Sequence, residues 1–195
     1  VLPTVASSSS TSGKYIPPHL RNKQQAAAPS QIATTEEDED AIRKQKEKDP
    51  RYQNLKKQMR NLVNKLAQEN LQVIARESLA LYQSNSKNDF RDILTSTLLD
   101  SVCDSGVNLL SNFVLVYAAY IVALHNIAGI EIGAHFMEHL IAKFDQFVFK
   151  QHDQKMDPVN RQRALNLQTL VSHLYNMGMI YSGIVYDMIK LLCYQ

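Results

Sequence analysis

The segment 129–145, GIEIGAHFMEHLIAKFD, holds the side chains best spaced for chemistry. If it is helical, Glu131, His135 and His139 stand at i, i+4 and i+8. Side chains four apart lie one above another on a helix face, and two histidines so placed can share one zinc ion. Glu138 beside them would suit hydrolysis. The order argues otherwise: His-Phe-Met-Glu-His lacks the early glutamate of the HExxH zinc motif. No separate cluster of Asp, Glu or His supplies an obvious further ligand. The same residues also read as architecture. Gly129 would close one apolar helix, and Phe136, Met137, Leu140, Ile141, Phe144 and Phe147 would give the next a buried side. That reading accounts for more of the segment, so no metal ligand is assigned.

Other reaction chemistry is equally poorly supplied. Cys103 and His125 could make a nucleophile and base, but nothing in the sequence locates them together. There is no GxSxG elbow, no GxGxxG and no GxxxxGK[ST]. Six glycines leave little material for catalytic loops. The expectation is a protein with no catalytic residues, no cofactor and no small-molecule substrate.

The elements that carry these residues follow from composition and period. With 195 residues, one domain plus a tail is expected. An apolar share of 45% can build a core, and mean hydropathy of −0.27 with 21% charged residues describes a soluble chain. A net charge of +2 is too small by itself to imply nucleic acid. The two cysteines, Cys103 and Cys193, are far apart and lie among apolar residues, and no Asn-x-Ser/Thr acceptor occurs. This favours a reducing intracellular compartment. The start has no basic-then-apolar signal pattern. The longest apolar run, Phe113 to Leu124, has 12 residues, short of the roughly 20 that span a bilayer, so it reads as a core helix and no membrane is expected. Beginning at Val1 rather than Met, the chain reads as a fragment or processed product.

Residues 1–50 carry SSSSTS, AAAPS, the acidic run Glu36 to Asp40 and the mixed block RKQKEK. Without periodic apolar residues this segment cannot offset its ordering entropy, and it reads as a disordered tail. Tyr15 to Arg21, YIPPHLR, stands out within it as a short docking motif preset for extended structure. After Pro50 the apolar residues recur at helical period. Leu55, Met59, Leu62, Val63 and Leu66 mark the first helix. Leu71, Ile74, Ala75, Ser78 and Tyr82 mark the second, and Phe90, Ile93, Leu94, Thr97, Leu98 and Val102 a third capped by Ser86 or Asn88. A break near Gly106 precedes an all-apolar fourth helix near 110–127. Three more follow near 131–151, 159–176 and 179–193, with joints at Asp157-Pro158 and Gly178.

No stretch alternates with period two, so the chain is expected to be all-α. Odd-numbered helices start near 52, 88, 131 and 179, intervals of roughly 36 to 48 residues that match the period of HEAT and armadillo arrays. Periodicity alone leaves a simple helical bundle open. The fourth helix suits an inner position between neighbouring pairs.

Charge is uneven. Arg51, Lys56, Lys57, Arg60 and Lys65 crowd the first helix with no acid before Glu69, whereas no Lys or Arg occurs from Asp92 to Ala142. The basic helix is either a phosphate-contacting surface, a solubilising face, or a dock for an acidic protein.

Several segments together resemble a known family. Leu62 to Leu66 followed by Gln68-Glu69-Asn70 looks like the first-repeat motif of the middle domain of translation initiation factor 4G. Ile93 to Leu98, Gly129 to Phe136, Lys143-Phe144-Asp145 and His173 to Asn176 resemble the suppressor of glycerol defect family, nucleolar proteins with such a middle domain. GKYIPPHLR at 13–21 is similar to that family's tail. The match covers about residues 51–193 in order and spacing.

The resemblance implies a stacked HEAT/armadillo-like α-solenoid over 51–195, of about seven helices, with no chemistry of its own. It implies docking of a DEAD-box RNA helicase of the initiation factor 4A-III type, with the helicase lobes held poised for turnover. Its setting would be small-subunit rRNA processing on a pre-ribosomal particle in the nucleolus. The helicase contacts would be Arg60, Asn64, Lys65 and Asn70, with Arg51, Lys56 and Lys57 facing RNA. Related scaffolds of the same domain type serve splicing or translation, and direct RNA binding through the basic helix is the other alternative. The family domain has about ten helices, so this chain reads as truncated, with an apolar face exposed where the array stops.

Overall fold

The computed structural model describes residues 45–103, 109–148 and 157–193. The expected tail lies outside the described residues as far as residue 44, with its YIPPHLR motif, and so does the expected break at Gly106.

The described residues form seven α-helices and no strand. They are α1 (Pro50–Asn64), α2 (Leu71–Ser84), α3 (Lys87–Cys103), α4 (Ser111–Ala128), α5 (Ile130–Val148), α6 (Pro158–Asn176) and α7 (Ser182–Cys193), with a single 3₁₀ turn, Gln68–Asn70, between α1 and α2. Their starts and stops follow local chemistry. Asp49 is extended, as a residue before proline must be, and its carboxylate accepts the Arg51 amide at 2.8 Å while Pro50 begins the helix. Ser86, one of the two expected caps, accepts the Asp89 amide at 3.4 Å. Gly129 and Gly178 take positive φ, +126° and +75°, where a side chain would strain the backbone, and each ends a helix.

The helices stack in two rows. In the odd row α1 packs on α3 and α3 on α5; in the even row α2 packs on α4 and α4 on α6. Sequential helices also touch, α1 on α2, α2 on α3, α4 on α5 and α5 on α6. This is the expected helix-pair solenoid rather than a bundle around one axis, because each pair rests on its neighbours. One apolar core runs through it, including Met59, Phe90, Tyr120, Phe136 and Leu167, all buried. Each such side chain stabilises the fold by about 1.5–3 kcal/mol.

Amphipathic spacing explains which faces are buried. Leu55, Met59 and Val63 are buried on α1, and Ile74, Ala75, Ser78 and Tyr82 on α2, as their spacing predicts. On α3 the buried hydroxyl belongs to Thr95, and Thr97 is half-buried. The fourth helix holds the expected inner position between α2 and α6. By length and composition alone α4 could cross a membrane. In this fold it buries Val114, Ala118, Tyr120, Ile121 and Leu124 against its neighbours and leaves Phe113, Leu115 and Ile127 exposed. On α7, Ile184, Tyr186 and Ile189 are exposed.

Polar links fix the register between rows. The Ser78 hydroxyl lies 2.5 Å from the Tyr120 hydroxyl, joining α2 to α4 inside the core. Asn166 of α6 is buried; its amide donates to the Val102 carbonyl at 3.1 Å and its oxygen accepts the Leu109 amide at 3.4 Å. Arg163 donates to the Cys103 carbonyl at 3.0 Å. Carbonyls at the end of α3 thus receive hydrogen bonds from α6.

Candidate functional site

The basic surface begins with the geometry of α1. Lys57, Arg60 and Asn64 follow one another at spacings of three and four, so they share a face. All three are exposed, on the side opposite Leu55, Met59 and Val63. Arg51 is exposed at the first turn. Lys56 is half-buried and its ammonium lies 3.3 Å from Glu47, so part of its charge is answered within the chain. Arg51, Lys57, Arg60 and Lys65 make no ion pair with another described residue.

The joint between α1 and α2 holds the other expected contact residues. Lys65 is exposed at the end of α1, its amide donating to the Leu62 carbonyl at 3.1 Å. Asn70 braces the turn from both ends of its amide. Its nitrogen donates to the Lys65 carbonyl at 2.6 Å and its oxygen accepts the Ala67 amide at 2.8 Å. Asn70 therefore fixes the direction in which Lys65 leaves the joint. Arg60, Asn64 and Lys65 remain open to solvent.

A second polar cluster joins α3 to α5. Arg91 reaches Glu131 at 3.4 Å and also bonds the Asn88 side chain. Lys46 bridges Asp89 at 3.0 Å and Asp92 at 3.4 Å, and its hydrogen bond to Asp89 holds the ammonium above its usual range. His135 Nε2 lies 3.2 Å from Asp92 Oδ1 but off the line of a hydrogen bond, so this buried nitrogen has no hydrogen-bond partner among the described residues. Burial holds the His135 imidazole below the usual histidine range, helped by His139 and Arg91 and opposed by Asp92 and Glu138. At neutral pH it is uncharged, and its approach to Asp92 is not an ion pair.

The sequence grouped Glu131 with His135 and His139; the structure regroups them. Glu131 turns to Arg91, and Glu138 takes the place beside the two histidines. Sequence spacing within one helix carried no signal for this, since Arg91 lies 40 residues away. Cys103 and His125 stand on different helices, α3 and α4. Cys103 is buried at the end of α3, and His125 packs its ring against Gly133 of α5. A Cβ on Gly133 would stand 2.3 Å from His125 Nδ1, so only glycine lets α4 and α5 approach this closely.

Comparison with known proteins places this geometry in context. The MIF4G domain family matches residues 56–195. The chain is 30% identical over 178 residues to human Nucleolar MIF4G domain-containing protein 1, covering 91% of this chain and 18% of that protein. The mouse protein of the same name is 32% identical over 177 residues, with the same coverage. Suppressor of glycerol defect protein 1 of Schizosaccharomyces pombe is 29% identical over 178 residues, covering 91% of this chain and 20% of that protein. This chain thus spans about a fifth of the length of these relatives. No solved structure gives a significant match.

Proposed function

This chain belongs to the MIF4G domain family, and we propose that it is a non-catalytic scaffold that docks a DEAD-box RNA helicase of the initiation factor 4A-III type. Its setting is the nucleolus, on pre-ribosomal particles, in small-subunit rRNA processing. The observation that carries the docking surface is the outward stripe of α1, where Lys57, Arg60 and Asn64 lie opposite the core and run into Lys65. The stripe belongs to one helix, and Asn70 braces the joint beside it. A surface held in this way loses little side-chain and backbone freedom when a partner binds. By contacting both lobes of a helicase, the scaffold favours their productive arrangement through differential affinity, a population shift that needs no chemistry from the scaffold.

The test is affinity for such a helicase with Arg60→Glu and Lys65→Glu substituted singly and together. The double variant is expected to bind at least about tenfold more weakly, a loss of roughly 1.4 kcal/mol. Undiminished binding would remove this face from the assignment.

A second reading, direct RNA contact through Arg51, Lys57 and Arg60, draws on the same exposed cations. It makes Arg51 and Lys57 necessary in the absence of helicase, with affinity falling steeply as salt rises. A flat salt response would exclude it.

A further inference from the structure

We propose that His135, Glu138 and His139 form a binding site for a divalent transition-metal ion, Zn²⁺ in the first instance, on the outer face of α5. Each of the three residues offers one ligand atom, and these atoms all lie within 4.8 Å of one another. Tetrahedral zinc with bonds near 2.0–2.1 Å needs ligands about 3.4 Å apart. The exposed Glu138 side chain can swing toward the two histidines without moving the helix.

Two features separate this cluster from a merely solvated helix face. His139 Nδ1 lies 2.9 Å from the His135 carbonyl oxygen. A ring nitrogen facing a carbonyl must donate, which leaves the Nε2 lone pair of His139 for a ligand; histidines that hold metals are commonly oriented in this way. Second, His135 Nε2 is buried with no hydrogen-bond partner among the described residues, and a carboxylate oxygen, Asp92 Oδ1, lies 3.2 Å away. An unpaired buried nitrogen is costly, and so is a carboxylate brought beside an imidazole without a hydrogen bond. A cation shared between them relieves both, which makes Asp92 the natural fourth ligand and ties α3 to α5.

The surrounding charge is suited to this. Asp92 and Glu138 both act on His135, and the two nearby cations, Lys46 and Arg91, are each already engaged with carboxylates. The donor set decides the ion: imidazole with carboxylate suits zinc, whereas calcium and magnesium prefer all-oxygen sites. The order His-x-x-Glu-His, which fails the HExxH test, is the order that places Glu138 beside His139.

The proposal is independent of helicase docking and is tested by calorimetric titration of the chain with zinc chloride after chelator treatment. One saturable ion per chain with a micromolar dissociation constant is expected, together with a rise in melting temperature of roughly 5–10 °C at zinc a hundredfold above that constant. His139→Ala and Glu138→Gln lie on the exposed face and leave folding intact; each should weaken binding at least about tenfold, with a smaller loss for Asp92→Asn. His173→Ala, on α6, should change nothing. Excess Mg²⁺ should not compete. The absence of saturable binding, or full binding by His139→Ala, overturns the proposal.

Discussion

Substituting Gly133 by alanine tests a close approach between α4 and α5. An added Cβ would meet His125 Nδ1 at 2.3 Å and Cγ at 3.0 Å, with the Met179 methyl at 3.0 Å on another side. Met179 can yield, because its contact is the end of a flexible chain. His125 cannot do so cheaply, because the contacts include the ring carbon next to its Cβ. Forcing such an insertion costs about 1–3 kcal/mol, while alanine in place of glycine within a helix returns about 1 kcal/mol. Gly133→Ala should therefore destabilise the chain by about 1 kcal/mol.

Removing the obstacle reverses the sign. In a His125→Ala background the same substitution should stabilise by up to about 1 kcal/mol, giving a coupling near 2 kcal/mol between the two sites. Urea unfolding followed by helical circular dichroism of the four proteins measures it. If Gly133→Ala changes stability equally in both backgrounds, the packing argument fails.

Asn166→Ala should cost about 2–3 kcal/mol in the same assay, because it strands the Val102 carbonyl and the Leu109 amide at the join of α3 and α6. Tyr120→Phe should cost only about 1 kcal/mol, because Ser78 keeps its bond to the Ile74 carbonyl at 2.8 Å. The same variant has a pH signature. Burial pushes the Tyr120 hydroxyl from 10 to about 12, only partly offset by Ser78. The unfolded chain then releases this proton first, so the contribution is whole below pH 10 and is lost as pH rises towards 12. Wild-type stability should fall more steeply than that of Tyr120→Phe across this window.

The helices were legible because burial on α1 and α2 is one-sided: Leu55, Met59, Ile74 and Tyr82 each sit where a single stripe puts them. On α3 the stripe misleads. That helix packs on α1 and α2 on one side and on α5 and α6 on the other, so Leu99, Cys103 and Thr95 are buried on a second arc that a one-face pattern cannot specify. The basic face of α1 was legible for the same reason as its core, since exposed and buried positions alternate on one helix. What the sequence could not supply was pairing between helices. Nothing near Glu131 announces Arg91, nothing near Gly133 announces His125, and the double role of Asn70 depends on a turn whose backbone closes only in three dimensions.

The central claim is that this array is a docking platform for a helicase. Titrating a fluorescently labelled initiation factor 4A-III-type helicase with the chain, in the presence of ATP analogue and RNA, tests it most directly. The account predicts saturable one-to-one binding that Arg60→Glu with Lys65→Glu weakens at least about tenfold. A folded chain that gives no saturable binding to the helicase would contradict it.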